Sequence, residues 1–159
     1  MIILELQKLA PRDWGKALGL GIANGVALSV IMVTLMQLGV SPLPKSLGLA
    51  FAETLAGRTL PLPIGLLFHL AYVTVWSMAF IAVFRHALTL RNALLLALVL
   101  WIGVLVIFFP VVGWGFLGLG VGPQLIPGSF MPHLLFGLFL WGLCRMVFPA
   151  PAGAPQDGR

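Results

Sequence analysis

Charged side chains are scarce in this sequence. Asp, Glu, Lys and Arg make up 8% of its 159 residues, against about 25% in soluble domains. With only four acidic residues, no Ser–His–Asp set and no pair of catalytic carboxylates can be assembled. Cysteine occurs once, as Cys144, which excludes an intrachain disulfide and any paired-cysteine redox or zinc motif. Cys144 reads as a small apolar packing residue near a helix end. No C-x-x-C-H stretch occurs, so covalently attached haem is excluded as well. A basic cluster is also missing. The net charge is +5, but the nine basic residues are spread between apolar blocks, so nucleic acid is not an expected partner. "GFLGLGVG" is glycine-rich like a nucleotide-binding loop, yet it follows an apolar span and lacks the lysine such a loop requires.

Apolar residues fill the space that charge leaves. They account for 60% of the chain, and the mean hydropathy is +1.10. A soluble protein of this size could not hide that much apolar surface in one core. Lipid is therefore the expected solvent for most of the chain. A membrane-crossing helix needs about 20 apolar residues, and four stretches qualify, at about 17–38, 62–84, 92–109 and 130–148. The expected fold is all-α, a polytopic four-helix transmembrane bundle over residues 1–149. Pro110 and Pro149 are expected to end the third and fourth spans. The first apolar run is too long for a signal peptide, and "QLGVSPLP" offers no small-x-small cleavage site, so it should remain as a span.

Basic residues set the orientation. Lys8, Arg12, Lys16, Arg85, Arg91, Arg145 and Arg159 fall on one side of a four-span arrangement, and only Lys45 and Arg58 on the other. By the positive-inside rule both termini should be cytoplasmic, in a bacterial inner membrane or its equivalent. "MIILELQKLA" has the spacing of a short interfacial helix, which Pro11 should break, leaving Asp13 to cap the first span. "PAPAGAPQDGR", covering 150–159, reads as a disordered tail. The outward loops are apolar. "KSLGLAFAETLAGR" reads as an interfacial helix with Ser46 as N-cap and Gly57 just past its end. "PVVGWGFLGLGVGPQLIPGS" holds too much glycine for a stable helix and should lie across the outer ends of the spans as a lid. Trp114 would then sit at interfacial depth.

Two histidines interrupt the apolar runs. His69 lies six residues after Pro63, and His133 six residues after Pro127. Each is followed by a leucine, then by an aromatic (Tyr72, Phe136) and a tryptophan (Trp76, Trp141). The pattern is that of two repeated hairpins. If Ser129 capped the fourth helix, His133 would lie nearer the surface than His69. An ionisable residue inside a span is a functional candidate, although a neutral imidazole can also tie helices together through hydrogen bonds. His69 and His133 could serve as axial ligands of one b-type haem. Gly65 and Gly137 would leave room for the ring, and Arg58 and Lys45 would pair with the propionates. With Met131, the two histidines could instead hold a soft metal ion such as Cu(I). A transported solute would use Asn24, Ser29, Thr34 and Gln37. The glycines of "GLGIANG" read as a close helix contact, and His86 in "FRHALTLR" as an ordinary interfacial residue.

The stretches "GIANGVALSVIM", "GLLFHLAYVTVW" and "PHLLFGLFLWG" resemble a group of small, uncharacterised bacterial inner-membrane proteins with four spans, a small-residue-rich first span and a His on spans two and four. The resemblance covers residues 17 to 148. It implies the four-span fold and marks His69 and His133 as the residues to test. It brings no activity. Function is therefore expected in this order: a non-enzymatic structural or accessory subunit packing against partner helices, its own copies or a larger complex; a haem- or metal-binding electron-transfer module; a small solute transporter. The lipid bilayer is the expected surrounding.

Overall fold

The computed structural model describes residues 10–148. The expected N-terminal interfacial helix and the C-terminal tail lie outside the described residues, as do Lys8 and Arg159. Five helices build the fold: α1 (Pro11–Gln37), α2 (Leu47–Ala56), α3 (Leu62–Phe84), α4 (Leu90–Val111) and α5 (Leu125–Val147). All but α2 are long and apolar enough to cross a membrane. The chain is thus an all-α, four-helix membrane bundle with a short apolar helix at one end, and no strand occurs among the described residues.

Proline places the helix starts earlier than expected. Pro11 does not break a helix; it is the first residue of α1. A proline in the first turn forfeits no intrahelical hydrogen bond, and its fixed φ suits a helix. Asp13 consequently sits inside the first turn of α1 and is not its cap. There a carboxylate meets the positive end of the helix dipole. It also pairs with Lys16 Nζ at 3.8 Å and Arg85 at 3.5 Å. Likewise α5 begins at Leu125 and runs through Pro127 and Pro132, so Ser129 does not cap it. Its hydroxyl donates to the Ile126 carbonyl within the helix, at 3.1 Å.

Pro110 was expected to end α4, yet the helix continues to Val111. Just before it, Val104–Phe108 forms a π-helical turn. The wider turn relieves the crowding that the proline ring would create at the carbonyl four residues back. At the other end of α4, the Thr89 hydroxyl caps the helix by accepting from the Asn92 amide at 3.3 Å.

The helices pair as two antiparallel hairpins, α1 with α3 and α4 with α5, and α1 also lies along α5. Contact between α3 and either α4 or α5 is sparse. Small residues set both pairings. A side chain at Gly21 would strike the Thr74 backbone at 2.9 Å, and one at Gly25 would strike Leu70 at 2.6 Å. Gly137 lies against Ala93 and Ala97 of α4. The "GLGIANG" contact is therefore present at Gly21 and Gly25, while Gly19 faces open space.

The two ends of the bundle differ. The end carrying residues 10 and 148 is closely packed around Ala17, Leu20, Phe80, Ile81, Leu140 and Cys144. Arg85 and Lys16 lie over the Phe148 ring there, at 4.6 and 5.6 Å. The other end is shared by α2 and the 112–124 connection. That connection is a series of tight turns, with a short 3-10 helix at Phe116–Gly118 and Leu117 at φ 57°. It packs on the ends of α4 and α5 through Trp114, Phe109, Leu105 and Leu125, with Ala50 of α2 beside them. Trp114 is buried at 8% exposure, with its ring 5.4 Å from Phe109. It is a core residue of this end and not an interfacial one.

Candidate functional site

A cavity of about 420 Å³ opens between the hairpins at the α2 end. It exists because the sparse α3–α4 contact leaves a gap that α2 fills only in part. The α2 helix sits tightly on α3. A side chain at Gly48 would strike the Gly65 carbonyl, and one at Gly65 would strike the Leu49 backbone at 2.6 Å. From there Phe51 reaches Phe68 of α3 and Phe108 of α4, at ring separations of 6.2 and 5.2 Å. Tyr72 joins the same aromatic wall, 5.8 Å from Phe108 and 6.3 Å from Trp76. On α1, Leu28, Ser29, Met32, Val33 and Met36 line the opposite side, spaced as one face of a helix.

Both sequence-nominated histidines line this one cavity. Each lies about two turns inside the α2 end of its helix, so the possible difference in depth raised by a Ser129 cap does not arise. Each is held by Nδ1. The His133 Nδ1–H donates to the Ser129 carbonyl at 2.7 Å. In the neutral ring this leaves Nε2 with a lone pair. His69 Nδ1 shares a hydrogen bond with the Ser29 hydroxyl at 3.0 Å, in which either atom can donate. Anchoring through one ring nitrogen is the arrangement that orients an imidazole for a ligand at the other.

Sequence reasoning missed Trp101. Its indole N–H is shared between the Ser129 hydroxyl at 3.1 Å and the Ile126 carbonyl at 3.3 Å. It thereby fixes the first turns of α5, which carry the carbonyl that holds His133. The only signal in the sequence was that a tryptophan within a span needs a partner for its N–H. The Ser46 hydroxyl was expected to cap α2 but makes no capping bond. It is buried without any hydrogen-bond partner and lines the cavity.

Other nominated residues lie apart from the cavity. Met131 is 51% exposed and is not among the lining residues. Lys45 Nζ pairs with Glu53 at 2.7 Å, and Arg58 is exposed. Neither lines the cavity. Lys45, followed by the Leu60 amide that also bonds Glu53 at 3.1 Å, holds the Glu53 carboxyl below the usual glutamate range. Gly65 and Gly137 are taken up by helix contacts, so neither supplies room for a flat ring. No group of three or more His, Cys, Asp or Glu side chains converges to hold a metal among the described residues.

The polar residues of α1 do not form one path. Asn24 is fully buried, and its amide donates to Ser77 at 3.4 Å. Ser29 faces the cavity. Thr34 bonds the Val30 carbonyl of its own helix, and Gln37 is exposed. Leu28, Val73, Leu100 and Phe136 close the cavity toward the packed end. The site is a blind chamber with apolar walls and two oriented imidazoles. Comparison with family models, with curated proteins and with solved structures found no match for this chain.

Proposed function

We propose that this integral membrane protein is a binding protein for a lipid-soluble small molecule, held at the α2 end between His69 and His133. The observation that carries the reading is the convergence of two Nδ1-anchored imidazoles on one otherwise apolar chamber. An apolar cavity with a few converging polar groups is the usual form of a small-molecule site. The apolar helix faces that suggested an accessory subunit, such as Val26 and Val30 of α1 or Val99 and Val106 of α4, are equally satisfied by lipid. They therefore favour no protein partner. Extraction of the purified protein into organic solvent, followed by mass spectrometry, tests the proposal. A compound enriched over bulk lipid, and lost when Leu66→Trp fills the chamber, supports it. No enrichment in the wild type overturns it.

A b-type haem is the second reading, favoured by the free Nε2 positions. It is weakened by the absence of a cation among the lining residues to meet two propionates. A Soret band in the purified protein, lost in both His69→Ala and His133→Ala, would put haem first. For orientation we propose cytoplasmic termini in a bacterial inner membrane. Arg12, Lys16, Arg85, Arg91 and Arg145 flank one end of the bundle, and Lys45 and Arg58 the other. Cysteines placed at His86 and at Thr59, in a Cys144→Ala background, should be labelled from opposite faces of the membrane.

A further inference from the structure

From the hydrogen-bonding state of the chamber we infer that its ligand is a neutral hydroquinone with an apolar tail, its two hydroxyls bonded to His69 and His133 and its ring stacked among Phe51, Tyr72 and Phe108. The inference rests on the binding function proposed above and adds the chemical class of the ligand.

Three observations converge on it. The first is the direction of the hydrogen bonds. His133 gives its only N–H to the Ser129 carbonyl, so its Nε2 can accept but cannot donate. A ligand group that meets it must bring a proton donor. His69 can accept or donate at Nε2, because its bond to Ser29 can run either way. Ser46 adds a hydroxyl that is buried in the lining without a partner, and such a group is costly until something bonds to it. The second is charge. No acidic or basic side chain lines the chamber, and Lys45 is already paired with Glu53. A charged head group would lose its hydration with nothing to replace it. The third is shape. Phe51, Phe108 and Tyr72 form a continuous run of edge-to-face or tilted rings, a wall suited to one more aromatic ring. Two imidazoles on different helices match two hydroxyls at opposite ends of such a ring.

The same wall supplies a way in from lipid. Phe68, Val75 and Trp76 line the chamber and are 39%, 61% and 36% exposed. They lie beside the side where α3 and α4 barely meet. An apolar tail can leave through that opening while the ring stays between the histidines.

Binding is measured by quenching of tryptophan fluorescence on the full chain in nanodiscs. The probes are decyl-hydroquinone, the corresponding quinone and the dimethyl ether of the hydroquinone. The hydroquinone should bind at least about tenfold more tightly than the ether, which keeps ring and tail but has no donor. That ratio is the size expected for leaving a buried acceptor unmet. His133→Phe should bring the two affinities together while the protein remains folded by circular dichroism. His133→Gln, which offers an acceptor oxygen, should restore part of the preference. Equal affinity for hydroquinone and ether in the wild type overturns the assignment of a donor-bearing ligand but leaves the chamber as a lipophilic site. No saturable binding of any probe overturns the hydroquinone, and the extraction experiment then decides whether the chamber binds anything else.

Discussion

The two ends of this bundle are built from the same four long helices and nearly the same residue types, yet one is closed and the other hollow. At the end carrying residues 10 and 148, Phe80, Ile81, Leu140 and Cys144 are fully or almost fully buried, and the charged residues meet across helices. At the α2 end, α3 stands off from α4, and an extra ten-residue helix is set against the gap. The difference lies in how small residues are distributed. Gly21, Gly25 and Gly137 pull each hairpin tight within itself. No equivalent close contact draws α3 onto α4. Packing within hairpins secures the bundle, and incomplete packing between them makes the chamber.

The largest test of that contrast is to remove the same side chain from each end. Phe80→Ala should cost about 3–5 kcal/mol, because a fully enclosed ring leaves a void that its neighbours cannot fill. Phe68→Ala, at a position already bordering the chamber, should cost under about 1.5 kcal/mol by the same reasoning. Unfolding in mixed micelles with rising SDS measures both, and equal losses would mean that the two ends are packed alike. Next in size is Gly65→Leu. It should drive α2 off α3 at a cost of about 1–3 kcal/mol, and protease cleavage in the Gly57–Pro61 segment should increase. Gly103→Leu, where a side chain would meet nothing within 4 Å, serves as its neutral control.

Smaller still is the ionic contact at the closed end. Asp13→Asn removes the carboxylate from Arg85 and Lys16, groups that are 31% and 40% exposed at the side chain. Screening limits the loss to about 0.5–1 kcal/mol, read in the same SDS titration. The smallest effect belongs to Glu53 at the hollow end. Its carboxyl is held below the usual range by Lys45, so the folded state favours the ionised form. The stabilisation is fully present above the ordinary glutamate value of about 4.3. It is lost as pH falls through the lower folded value, where both states take up the proton. Thermal melts of wild type and Glu53→Gln should differ by a constant amount at neutral pH and converge in that acidic window.

Much of this architecture was legible in the sequence, since run length and hydropathy alone determine where a chain can cross lipid. The ends of the helices were less so. Pro11 and Pro127 were read as breaks because proline in a helix interior is one, but in a first turn it is an initiator. Only the surrounding fold determines which applies. His69 and His133 were legible because an ionisable group amid leucines stands out. Their anchors were not. Ser129 holds His133 through its backbone carbonyl, which no side-chain pattern encodes. The partner of a glycine is equally invisible. Gly65 and Gly137 looked like space beside a ring, and each proved to be space for another helix.

The π turn at Val104–Phe108 also bears on what changes the chain can tolerate. An α-helix turns about 100° per residue, so a wide turn holds one residue more than a regular helix would place there. On the near side of it, Leu100 and Val104 face the chamber. On the far side, Phe108 still does, while Phe109 is buried under Trp114. Loss of a single residue from this turn would let the helix become regular and swing everything beyond it around the axis. The aromatic wall and the plug under Trp114 would exchange places. Substitutions of similar size within the turn leave that phase intact, so the chamber is more sensitive here to the number of residues than to their identity.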